Sequence, residues 1–135
     1  MEEVSMTDEM KAQTLFVRET DGEHREVGLW RDADGLWIQE RTAGPLTRSV
    51  FGEPYHVQQM LIKPLFIEAA ADAFGTDGEG LPSAVERFFE IAPYRVLADL
   101  MDYLDRNDIA YDFRAFGPAC AVFRTSDGED AYRRA

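Results

Sequence analysis

The chain has 135 residues, a mass of 15.3 kDa, 45% hydrophobic residues and a formal net charge of −12. That length suits one domain able to bury about two thirds of its unfolded surface, and nine Phe, five Tyr and two Trp supply a core, which argues against wholesale disorder. Twenty-six acids against fourteen bases repel nucleic acid and anionic membrane alike, which excludes direct binding to either through general electrostatics.

No apolar run approaches the roughly 18 residues of a membrane helix. The opening MEEVSMTDEM is acidic and lacks the basic and apolar regions of a secretory signal, so the expected compartment is the cytoplasm. One cysteine, Cys120, rules out an intramolecular disulfide framework and a multi-cysteine zinc site, and reads as a small buried hydrophobe. Twelve Arg against two Lys, with abundant Ala and Asp, is the usage of a GC-rich bacterial coding sequence.

Residues 1–12 carry too few apolar positions to choose between a short helix and a loose tail. From Thr14 to Phe51 strand patterning repeats. Thr14–Thr20 is rich in β-formers, and Asp21-Gly22 is a strong hairpin signal. Glu23–Arg31 follows, then the turn Asp32-Ala33-Asp34-Gly35, then Leu36–Thr42. Gly44-Pro45 breaks the chain before Leu46–Phe51, which the pattern makes the fourth strand of a meander.

After Gly52, Val57, Met60, Leu61, Leu65 and Ala69 recur at helical spacing. Pro64 does not suit a helix interior, so the segment is either kinked there or split, with Tyr55–Ile62 extended and a helix starting at Pro64. Gly75 closes that helix after Phe74. Ser83-Ala84-Val85-Glu86 fits a capping box for a helix ending near Ala92. Pro93 opens another, with Leu97, Leu100, Met101 and Leu104 on one stripe, and Asn107 suits a left-handed cap. Ile109–Phe116 and Ala119–Thr125 read as a closing hairpin, and residues 126–135 as a loose tail. The whole order predicts one α+β domain over 1–135, an antiparallel sheet formed by a four-stranded N-terminal meander and a C-terminal hairpin, with two or three helices packed on one face.

Chemistry-bearing motifs are few. Setting Gly35 at the invariant glycine of a calcium loop puts Trp30 and Arg41 where carboxylates are required, so Asp32–Gly35 is a hairpin turn and no metal site is expected there. Glu68 and Asp72 stand four apart without an accompanying histidine, which suits a solvated helix face. His24 and His56 lack a partnered Ser, Cys or Asp motif, and no nucleophile elbow, phosphate loop, dinucleotide fingerprint or HExxH is present. No catalytic residue and no cofactor is expected on these grounds, and the motifs give no enzyme a name.

Two features stand out. Residues 64–112 hold eleven acids and three bases, whereas residues 11–53 hold eight and six, so the negative charge gathers on the helical half. Asp99, Asp102, Asp105 and Asp108 recur every three residues and fan around the exposed side of a helix. Such a face would steer a basic protein partner. Spaced carboxylates can also mimic nucleic-acid phosphates.

The second feature is the 23–42 hairpin. A turn at Asp32–Gly35 pairs Arg31 with Leu36, Trp30 with Trp37, Leu29 with Ile38, Gly28 with Gln39 and Glu26 with Arg41. Trp30, Trp37, Glu26 and Arg41 then share one face, while Val27, Leu29, Leu36 and Ile38 take the core side. Continuing through Asp21-Gly22 puts Leu15 and Val17 beside the tryptophans, Phe16 with the core, and Arg18 opposite Arg25. Since one helical layer covers one face only, the tryptophans are either enclosed by sheet curvature or neighbouring strands, or exposed as a patch for self-association or a partner.

The leading functional expectation is therefore a non-catalytic protein-binding protein of inhibitor, neutralising or chaperone-like type. It would use its acidic helical face on a basic partner, with a homodimer through Trp30 and Trp37 as a further expectation. The alternative is a small-molecule-binding or enzymatic domain with an aromatic-lined pocket between sheet and helices. There Glu40, opposite Val27 on the core face, would be a desolvated base, or else would pair with an arginine such as Arg25.

Overall fold

The computed structural model describes residues 10–117 and 121–126. Along the chain run β1 (Met10–Thr20), β2 (Glu23–Asp32), β3 (Gly35–Ala43), α1 (Pro45–Phe51), β4 (Tyr55–Ile62), α2 (Pro64–Ala73), α3 (Leu81–Glu90), α4 (Leu97–Arg106), β5 (Asp112–Phe116) and β6 (Ala121–Arg124). The strands form one antiparallel sheet in chain order, so the architecture is α+β.

The first two turns follow from local chemistry. Asp21 and Gly22 both take positive φ, 54° and 81°, which matches the right-handed twist of the strands they join. At the second turn the Asp34 amide donates to Asp32 Oδ1 at 2.9 Å. The β2–β3 register is the expected one, from Arg31 opposite Leu36 and Trp30 opposite Trp37 to Glu26 opposite Arg41. Arg18 does face Arg25. The repulsion is relieved because Arg18 Nη1 turns to the Arg95 carbonyl at 2.8 Å and Arg25 to Glu40. Leu15 departs from expectation. A bulge between Thr14 and Phe16 carries it from the tryptophan side to pack partly buried against the core.

The fourth strand of the meander is Tyr55–Ile62, and Leu46–Phe51 is a helix. The β-forming residues of α1 are overruled by its cap. Pro45 presets the first turn, and the Leu46 and Thr47 amides and the Thr47 hydroxyl all donate to the Glu23 carboxylate, which comes from β2. The Thr47 hydroxyl and those two amides hold the Glu23 carboxyl below its usual range. Pro64 sits at the start of α2, so the split version of the 55–73 segment is the observed one.

Other boundaries shift by a few residues. α3 begins at Leu81, with Gly80 as its cap, and Ser83 stays exposed inside the helix. A side-chain cap forms instead at α4, from Asp99 alone, since the N-cap Val96 has no polar side chain. There Asp99 Oδ2 accepts the Val96 amide at 2.8 Å, so the helix opens at Leu97 and not at Pro93. Gly75, at φ 75°, closes α2 as expected, but the left-handed residue after α4 is Asp108 (φ 58°), not Asn107. β5 begins at Asp112, because Ile109 and Tyr111 turn into the core. Cys120 and the tails 1–9 and 127–135 lie outside the described residues.

All four helices lie over one face. Val27, Leu29, Leu36, Ile38, Met60 and Ile62 of that face pack against Ile67, Ala70 and Ala71 of α2, Val85, Phe88 and Phe89 of α3, and Leu97, Leu100 and Leu104 of α4. Each fully buried Leu, Ile or Val contributes roughly 1.5–3 kcal/mol by leaving water.

Candidate functional site

The helical layer carries the charge that the sequence gathers there. Over residues 64–112 Glu68, Asp72, Asp77, Glu79, Glu90, Asp102, Asp105 and Asp108 are exposed, against Arg87 and Arg106 as exposed bases, and α1 adds an exposed Arg48. The four spaced aspartates differ in what they do. Asp99 is half-buried and committed to the α4 cap. Asp105 lies 3.4 Å from the Arg124 guanidinium and accepts the Tyr111 hydroxyl at 3.1 Å. Asp102 and Asp108 stand exposed, in none of the described ion pairs. The geometry therefore leaves two of the four free to meet a partner.

Between α2, α3 and α4 runs a groove of about 760 Å³. Its floor is aromatic: Tyr103 lies 4.8 Å from Phe74 and 5.7 Å from Phe88, centroid to centroid. The Tyr103 hydroxyl donates to the Ala73 carbonyl, which locks α4 to α2. On the rim Ile91 and Tyr94 are 69% and 77% exposed, large apolar groups with nothing over them. Arg95 is held at the edge by the Phe88 carbonyl at 2.8 Å and by the Phe88 ring beneath it. Ile91 and Tyr94 were not singled out from sequence, because an apolar residue just past a helix end looks the same whether it packs or protrudes.

The opposite face of the sheet bears no helix. Trp30 and Trp37 stack at 5.7 Å with 15° between their planes, both half-buried. Trp37 Nε1 donates to Asp32 at 3.2 Å, and Arg114 lies 5.0 Å above its ring. Arg114 Nε in turn donates to Gln59 at 2.6 Å, and Gln59 to Gln39 at 2.6 Å. Arg41 is exposed, 5.1 Å from the Tyr55 ring. The pair is thus neither enclosed nor fully open. A guanidinium from β5 covers one side of it, a contact hidden in the sequence because Arg114 lies 77 positions after Trp37.

Glu40 does face the core side, 5% exposed, and is already engaged. Arg25 Nη1 lies 2.8 Å from its Oε2, and the Leu97 amide donates to the same oxygen at 3.1 Å. A carboxylate so compensated is a structural tie rather than a desolvated base. Beside it opens a recess of about 270 Å³, walled by Thr42, Phe51, His56 and Gln58 and by the residues before α4. Leu46, Val50, Val96 and Ala98 line it with Phe51 as its one Phe, Tyr or Trp ring, so it is a mixed polar and aliphatic recess and not the Phe, Tyr and Trp pocket expected.

His56, 8% exposed, stacks on Phe51 at 3.6 Å with its Nδ1 buried and unpartnered. The sequence names His56 but, with 55–62 open between helix and strand, not its neighbours. Only the strand places it beside Thr42.

Among the described residues no group of three or more His, Cys, Asp or Glu is placed to hold a metal ion, and no helix is long and apolar enough to cross a membrane. No protein-family model, curated protein or solved structure matches the chain.

Proposed function

We propose that this is a non-catalytic protein-binding protein whose helical layer docks a basic partner across the α2–α3–α4 groove. The observation that carries the reading is the pairing of two features on one surface. Over residues 64–112 eight exposed carboxylates surround two exposed bases, while the groove wall itself sets Asp99 and Asp102 among Arg87, Arg95 and Arg106, and Ile91 and Tyr94 project beside an aromatic floor. Carboxylates raise the encounter rate with a basic partner, while apolar anchors seated in a groove give the complex its lifetime. The Trp30–Trp37 face is the second surface in this reading, where a further copy of the chain docks or the interface is completed.

The test is capture from source lysate at low and high salt with wild type, Asp102→Lys/Asp108→Lys and Tyr94→Asp, followed by stopped-flow kinetics with the partner recovered. The charge reversal should slow association by about tenfold and flatten its salt dependence. Tyr94→Asp should speed dissociation instead. Binding that ignores both salt and these substitutions would refute the reading, and native mass spectrometry of the unbound protein decides between one copy and two.

A further inference from the structure

We propose that the recess beside Glu40 is a binding site for a small organic cation, an amine or amidine joined to an apolar body. It shares no residue with the docking groove, so it stands or falls independently of the function above. Its base is polar and its lip is not. Leu46, Val50 and Phe51, 57%, 62% and 42% exposed, are three of the seven large apolar side chains left exposed among the described residues, and all three line this one opening.

The sign of the ligand follows from the charges around it. Glu23, Glu40 and Arg25 are the ionic groups of the lining, two carboxylates to one guanidinium, and Arg25 is committed to Glu40. An anion would meet a net negative wall inside a chain of net charge −12. Both named contacts of Glu40 fall on Oε2, and a carboxylate can accept about four hydrogen bonds, so it retains capacity for a donor.

His56 supplies the second anchor. Its Nδ1 is buried without a hydrogen-bond partner, which destabilises the unliganded site and favours a ligand that supplies a donor. Nδ1 accepts in the tautomer that carries the proton on Nε2, and stacking on Phe51 fixes the ring plane before the ligand arrives. An amidinium offers paired N–H donors to imidazole and carboxylate, and its apolar body would cover Leu46 and Val50.

The experiment titrates the full-length protein with benzamidine while following the His56 ring nitrogens by ¹H–¹⁵N NMR, with phenethylamine as a second cation and benzoate as the anion of matching shape. Saturable shifts of His56 are expected from both cations at millimolar or lower concentration, and none from benzoate. Val50→Trp, which fills the lip from an exposed position, should weaken binding at least tenfold without altering the melting temperature. His56→Phe should do the same if its melting curve shows it folded. No saturable shift up to about 10 mM would overturn the proposal. So would an equal response to benzoate, which would leave His56 satisfied by water alone, or unchanged affinity in Val50→Trp.

Discussion

Glu40 on β3 and Leu97 at the start of α4 meet through one oxygen, Oε2, which accepts the Leu97 amide at 3.1 Å while holding Arg25 at 2.8 Å. A carboxylate in the sheet thus fixes where a helix 57 residues later begins.

The two partners of this ion pair should not cost the same to remove. Glu40 is almost wholly buried, whereas a quarter of the Arg25 side chain reaches solvent. Arg25→Met strands a buried charge and should destabilise by about 3 kcal/mol, while Glu40→Met frees an arginine that can turn outward and should cost about 1–2 kcal/mol. The double substitution should cost less than the sum, because neither charge is then left alone. Urea unfolding of the three variants measures this, and equal costs for the two singles would show that burial does not set the penalty.

Two glycines with positive φ separate backbone strain from collision. A Cβ on Gly35 (φ 131°) would lie 2.2 Å from the Ile62 carbonyl oxygen, where β3 meets β4, whereas one on Gly52 (φ 74°) would have nothing within 4 Å. Gly52→Ala should cost about 1–2 kcal/mol, the ordinary penalty of a left-handed residue. Gly35→Ala must also push apart a pair of hydrogen-bonded strands. It should cost well over that, enough to lower the melting temperature by more than about 10 °C or to prevent folding. Similar melting curves for the two variants would contradict the close approach.

Burial pushes the Tyr111 phenol up to about 12, with Asp105 beside it acting in the same direction and Arg124 against it. The unfolded phenol titrates near 10, so the stability this residue contributes is complete below about pH 10 and declines as pH rises toward 12. Absorbance titration of tyrosinate should show a late-ionising component near pH 12 that is absent in Tyr111→Phe. Titration curves of wild type and Tyr111→Phe that differ only near pH 10 would be the contrary result.

The β1–β2 hairpin carries two opposed pH dependences. A hydrogen bond donated by the His24 ring to the Glu19 carboxylate, at 2.7 Å, raises the His24 pKa, and Glu26 adds to it. Its contribution is therefore full below about pH 6.5 and fades as pH rises through the higher folded value. Glu23 is held below the usual carboxylate range by Thr47 and the first amides of α1, so its contribution holds above that range and fades as pH falls through the lowered value. NMR titration should place His24 above the imidazole of an unstructured peptide, and Glu19→Gln should return it toward that reference. In Glu23→Gln the amide signals of α1 should no longer change in the acid limb.

What the sequence determined by itself is whatever short-range chemistry decides. Asp21-Gly22 and Asp32–Gly35 specify their own turns, each turn sets the register of the strands beside it, and alternation then puts Trp30 with Trp37 and Glu40 toward the core. The gathering of acids on the helical half was equally legible, since it needs only composition along the chain. What tertiary structure decided is every feature whose partner lies far away. Leu46–Phe51 is a helix because Glu23 caps it from another strand, Glu40 is quiet because Arg25 and Leu97 reach it, and Trp37 is half covered because β5 returns beside β4 with Arg114. A capping carboxylate or a stacked guanidinium outweighs local preference by about 1 kcal/mol. Nothing in the neighbouring residues announces where it will come from.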